Sequence, residues 1–189
     1  MSFWNDKRVV LVSSAFLAAF AYGFLLFNFG PYAQVRERLP KVSFPEERLS
    51  YKNEDLRQFI GQLTIEQDGA SQVYLTAYKG FQIFDILNGA LLALALGTAI
   101  WALTRGMTRA SILKWLISLP LLMFVFDLSE NLAIIKVVDS WPAWYPGLGA
   151  LAATFTMAKM IAGGLAVTSI LGLVATILIS RLKKQKRYG

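Results

Sequence analysis

Four apolar runs, at 9–29, 81–103, 112–138 and 148–180, dominate a chain of 189 residues. Roughly 20 apolar residues, rising about 1.5 Å each, cross a hydrocarbon layer about 30 Å thick, and each run is long enough. A water-soluble domain of this size has no interior that could hide four such helices. The runs therefore predict an all-α integral membrane protein: a four-helix transmembrane bundle built as one domain over 1–189. With 56% hydrophobic and only 16% charged residues, the chain is too poor in charge for an ordinary soluble surface.

The basic residues give the expected orientation. Lys7 and Arg8 precede the first run, Arg105, Arg109 and Lys114 gather at the second connection, and Arg181, Lys183, Lys184, Lys186 and Arg187 follow the fourth run. The connection 139–147 has no lysine or arginine. The positive-inside rule then predicts a multi-pass protein of the cell membrane with both termini cytoplasmic and the segment 30–79 exterior. The formal charge of +7 thus reads as topology, and no nucleic-acid partner is expected. Membrane lipids are the expected surroundings, with a membrane-protein partner or a second copy of the chain as further candidates. The first run is read as a retained anchor, and Ala15, Ala19 and Gly23 give it one face for close helix approach.

Pro31, Pro40 and Pro45 break the first half of the exterior segment. Beyond them Asn53 is the expected cap of a short helix with Glu54 and Asp55 in its first turn and Leu56, Phe59, Ile60 and Leu63 as its apolar stripe. This element is expected to cap the bundle. A helix starting near Ser71 should run on into the second span. Tyr78, Trp141, Trp144 and Tyr145 sit where interfacial aromatics belong, and they are also the candidates for lining an exterior mouth. Pro120 is expected to kink the third span, and Gly164, Thr168 and Gly172 share a face of the fourth.

Chemistry is narrowed by what is missing. Neither cysteine nor histidine occurs, so thiolate and imidazole chemistry are both excluded, and no metal site or cofactor is predicted. What remains is an unusual set of polar residues inside the apolar runs. Asp127, Glu130 and Asn131 share one side of the third span, at i, i+3 and i+4. From the exterior end of that run Asp127 lies about 16 Å deep and Glu130 about 12 Å, using the helical rise. Asp85 of the second span belongs to the row of Gly89, Ala93 and Gly97, which should face a neighbouring helix, and Lys159 of the fourth matches the depth of Glu130. An ionised side chain at mid-membrane costs about 2.5–3.5 kcal/mol, so these five residues are expected to converge.

Three carboxylates against one buried lysine leave negative charge to be relieved by a proton, a bound cation or water. The cluster is thus a candidate for binding or moving a small cation, a proton or a polar solute. Three alternatives use the same residues: a lipid-modifying membrane enzyme with Asp127 and Glu130 as acid and base, a network that only fixes helix register, and an accessory subunit that meets a partner's helix. Whether the chain is an enzyme stays open at this level. One span, a long exterior segment and three further spans are similar to the general plan of claudin-related four-span proteins. The likeness is one of topology: the exterior tryptophan motif and cysteine pair of that group do not occur at 30–79, so it implies no residue roles.

Overall fold

The computed structural model describes residues 7–65, 71–105 and 114–188, and every regular element among them is helical. The main helices are α1 (Lys7–Asn28), α2 (Pro31–Arg38), α3 (Asn53–Thr64), α4 (Ser71–Thr104), α5 (Ser118–Ser140) and α6 (Pro146–Tyr188). Short 3-10 turns occupy Pro45–Glu47 and Lys114–Ile117. Arg109 and residues 112–113 of the third apolar run lie outside the described residues.

Three helices, α1, α4 and α6, are long and apolar enough to cross a membrane. Their side chains point outward to a degree that water would not tolerate: Leu17, Phe20, Leu94, Ile161 and Leu171 are all more than half exposed. The third apolar run forms α5, which packs between α4 and α6 and is the most enclosed of the long helices. Pro120 does not kink it. The 3-10 turn absorbs the start of the run, so Pro120 falls in the first turn of α5, where its missing N–H has no intrahelical partner to lose.

Close approach of α1 to α4 uses the expected small face. Ala19 is buried, a Cβ at Gly23 would stand 3.3 Å from the Asn88 amide oxygen, and the Tyr22 hydroxyl donates to the Phe84 carbonyl at 3.0 Å. At the other end of the chain the face of Gly164, Thr168 and Gly172 is exposed, with no described residue packed on it.

The segment between α1 and α4 folds back over one end of the bundle as a cap. Gly30 turns the chain out of α1 at φ 75°, a left-handed conformation that glycine adopts without penalty, and Pro31 starts α2 where a helix needs no N–H. Arg36 then pairs with Glu47 at 2.6 Å, donates to the Val42 carbonyl at 3.0 Å, and shares Tyr32 with Glu47. The cap of α3 is Lys52, one residue earlier than expected, because its backbone N–H donates to Asp55 at 2.7 Å while Asn53 is already helical. Leu56, Phe59, Ile60 and Leu63 are all buried, as their helical spacing requires.

Beneath the cap lies an aromatic core. Phe44 packs on Tyr32, Phe59, Tyr78 and Phe81 with ring centroids 4.7–6.1 Å apart. The outer turns of α4, α5 and α6 join it through Leu75, Ile134, Val137 and Ala152. A second, smaller core of Leu96, Met123, Ala162 and Ala166 lies at the opposite end of the same three helices.

Candidate functional site

Between the two cores sits a polar layer, and each of three helices contributes one stretch to it. Along α4 the order from the cap is Phe81, Asp85, Asn88, Gly89, Leu96; along α5 it is Ile134, Asn131, Glu130, Asp127, Met123; along α6 it is Ala152, Thr156, Lys159, Ala162. On α5 and α6 one helical turn of polar residues is closed above and below by apolar packing, and on α4 the polar stretch runs from the fully buried Gln82, next to Phe81, to Asn88.

Lys159 is the hub. Its ammonium donates to Asp127 Oδ1 at 2.9 Å and forms an ion pair with Glu130 Oε2 at 2.5 Å. Glu130 is 0% exposed, Asp127 6% and Asp85 8%, and the lysine side chain retains only 13%. Asn131 reaches Asp127 Oδ2 at 3.4 Å, and Asn88 reaches Asp85 Oδ1 at 3.3 Å. Asp85 feels the charges of both Asp127 and Lys159, so the four ionisable groups form one electrostatic unit.

Local sequence explains this convergence. Asp127, Glu130 and Asn131 face one way because they are three and four residues apart on α5, and Thr156 and Lys159 do so on α6. Gly89 supplies the space: a Cβ there would overlap Asp127 Oδ2, so the acid lies directly against the backbone of α4. Gly163 similarly admits the Met123 sulfur, at 3.1 Å from where its Cβ would stand.

Proton counting adds a constraint. The Thr156 hydroxyl is in hydrogen-bond contact with the Ala152 carbonyl at 3.0 Å and also with Glu130 Oε1. It has one hydrogen. Both contacts have the hydroxyl as donor, and of the two acceptors the Glu130 carboxylate is the stronger. A charge count sets a separate constraint: three carboxylates face a single ammonium in an enclosed layer, two formal negative charges in excess.

The structure thus draws together Asp85, Asp127, Glu130, Asn131 and Lys159. It adds Thr156 and Asn88, which spacing alone could have suggested, one turn from Lys159 and Asp85. The candidate mouth residues divide. Tyr78 is fully buried in the aromatic core; Trp141 and Trp144 stack edge to face at 6.3 Å beside the cap, and Tyr145 is exposed. Trp141 helps line a cavity of about 460 Å³ between α4 and α5, whose rim carries an ion pair between Lys79 and Asp139 at 2.6 Å. That pair ties the outer turns of the two helices that hold Asp85 and Asp127. No family model, curated protein or solved structure matches this chain.

Proposed function

We propose that the chain is a four-span membrane protein, with α5 as the third span, whose polar layer binds an exchangeable proton and passes it across the membrane, exchanging it with the water on the cap side. The observation that carries this reading is the charge count: three enclosed carboxylates are met by one lysine. Low polarity above and below the layer opposes a net double negative charge, and a proton relieves it with the least space. A larger cation is disfavoured by Lys159, whose ammonium already fills the place between Asp127 and Glu130. Glu130, the most deeply buried of the three acids, is the one the proposal assigns to proton exchange.

With the basic residues on the cytoplasmic side, the cap and the cavity near Lys79 and Asp139 face the exterior. A lipid-modifying enzyme would need a headgroup seated beside Asp127 and Glu130; both acids are instead engaged by Lys159 inside the bundle.

The test is proton flux into proteoliposomes holding a pH-sensitive dye, driven by a potassium diffusion potential. Flux above that of empty vesicles is expected, and Glu130→Gln, which keeps the shape and hydrogen bonding of the side chain, should lower it about tenfold or more, the order expected for loss of a proton-transfer group. Equal flux with and without the protein, or flux indifferent to Glu130→Gln, would overturn the proposal.

A further inference from the structure

The end of the bundle away from the cap carries a second feature that the polar layer does not use. An open groove of about 910 Å³ runs between α1, α4 and the start of α5. Its walls are apolar: Leu11 from α1, Ala90, Ala93, Leu94 and Gly97 from α4, and Pro120, Leu121 and Phe124 from α5 contribute almost all of the surface. The floor is formed by small residues, and a Cβ at Gly97 would meet nothing within 4 Å. The groove exists because bulky side chains are missing from α4 where α5 begins late, after its 3-10 turn. Its size is that of a ligand pocket, about 300–1,000 Å³.

The apolar walls end in positive charge. Trp101, on the wall, carries the Arg105 guanidinium over its ring at 5.1 Å from the centroid. Arg105 is exposed and forms no salt bridge among the described residues. Lys7, also exposed, lies four residues before Leu11 and therefore on the same face of α1, one turn beyond the groove. Among the described residues no acidic side chain lines the groove.

We propose that this groove is a binding site for one anionic phospholipid, with an acyl chain along Ala93 and Gly97 and the phosphate held at Arg105 and Lys7. Charge complementarity selects this occupant. An apolar partner helix or a second copy of the chain would cover the walls equally well, but it would leave the arginine and lysine at the mouth without a counter-charge. A lipid supplies both an apolar tail and an anion at the depth where the two residues stand. Trp101 belongs at that boundary, with its ring against the chain and its face toward the cation. The site is independent of the proton reading, since no residue of the polar layer lines it.

Spin-labelled lipids test it directly. The full-length protein is reconstituted in phosphatidylcholine vesicles containing a trace of phosphatidylglycerol or phosphatidylcholine labelled near the chain end. The motionally restricted fraction of each lipid is then read by electron paramagnetic resonance. Labelled phosphatidylglycerol should be restricted about fivefold more strongly than labelled phosphatidylcholine, and Arg105→Gln should bring that preference close to unity. Gly97→Leu should fill the groove and abolish the preference for phosphatidylglycerol; the open space at Gly97 lets the variant fold, which its elution profile and helical circular dichroism would show. Equal restriction of the two lipids in the wild-type protein would overturn the proposal. So would a preference that survives either substitution.

Discussion

The two ends of the bundle hold together by different means. At the cap end, Phe44, Phe59, Tyr78 and Phe81 interlock with residues far away in sequence, and the ion pairs Arg36–Glu47 and Arg48–Asp55 tie the cap together around them. At the basic end the helices meet over Leu96, Met123, Ala162 and Ala166, and a groove stays open beside them. Aromatic packing under a cap excludes water and resists displacement, whereas contact through small residues brings backbones close and leaves surface for lipid. The difference teaches where the polar layer is placed: it lies at the junction, where aromatic packing under the cap gives way to small-residue packing beside the groove.

The largest expected effect removes that junction. Lys159→Met leaves Asp127 and Glu130 facing each other without a counter-charge and should destabilise the protein by about 3–5 kcal/mol. Pairing it with Asp127→Asn and Glu130→Gln should regain most of the loss. Thermal unfolding in detergent measures both, with Trp144 reporting the cap end and Trp101 the basic end in single-tryptophan variants. If the two probes melt together in the wild-type protein and apart in Lys159→Met, the layer is what couples the ends. Coincident melting in both proteins would mean that the distinction between the ends has no energetic meaning.

Two glycines of α4 sharpen the contrast at an intermediate scale. Gly89→Ala forces a methyl group into the Asp127 carboxylate and should cost about 1–3 kcal/mol. Gly97→Ala meets open space and should stabilise the helix by up to about 1 kcal/mol. The same melting experiment decides, and equal effects at the two positions would show that the helices are no closer at the layer than at the groove.

The smallest effect is confined to the cap. Burial, and after it the hydrogen bond to Glu47, holds the Tyr32 phenol above its ordinary value of 10.0. The folded cap keeps a proton that the unfolded chain gives up, so this contribution is complete below pH 10 and is lost as pH rises through the raised value. Tyr32→Phe should cost about 1 kcal/mol at neutral pH and make the alkaline decline in cap stability shallower. An unchanged decline would assign it to other groups.

Much of this arrangement is legible in the chain itself. Charged residues inside long apolar runs announce the polar layer, and three- and four-residue spacing aims them at one another, so Asp127, Glu130 and Lys159 could be grouped before any coordinate. The stripe on α3 and the continuous helix from Ser71 follow from local rules as well. Thr156 escapes because a threonine in an apolar helix ordinarily satisfies itself on its own backbone, as it also does here with Ala152. Pro120 is misjudged because its effect depends on where the helix starts, and a 3-10 turn shifts that start. Tyr78 reads as an interfacial anchor because its burial comes from Phe44 and Phe59, residues brought over it by the cap's return. Contacts made by chain reversal leave no periodic trace.

The contact between Gly89 and Asp127 also limits how the chain can vary. One small volume is shared by two positions on different helices, and the acid can occupy it only while the other position contributes a hydrogen atom. Any heavier residue at 89 must be matched by a shorter one at 127, which would give up a partner of the lysine. A larger residue at 89 is therefore accommodated only in company with a shorter one at 127, while a residue no larger than aspartate at 127 lets position 89 stay glycine.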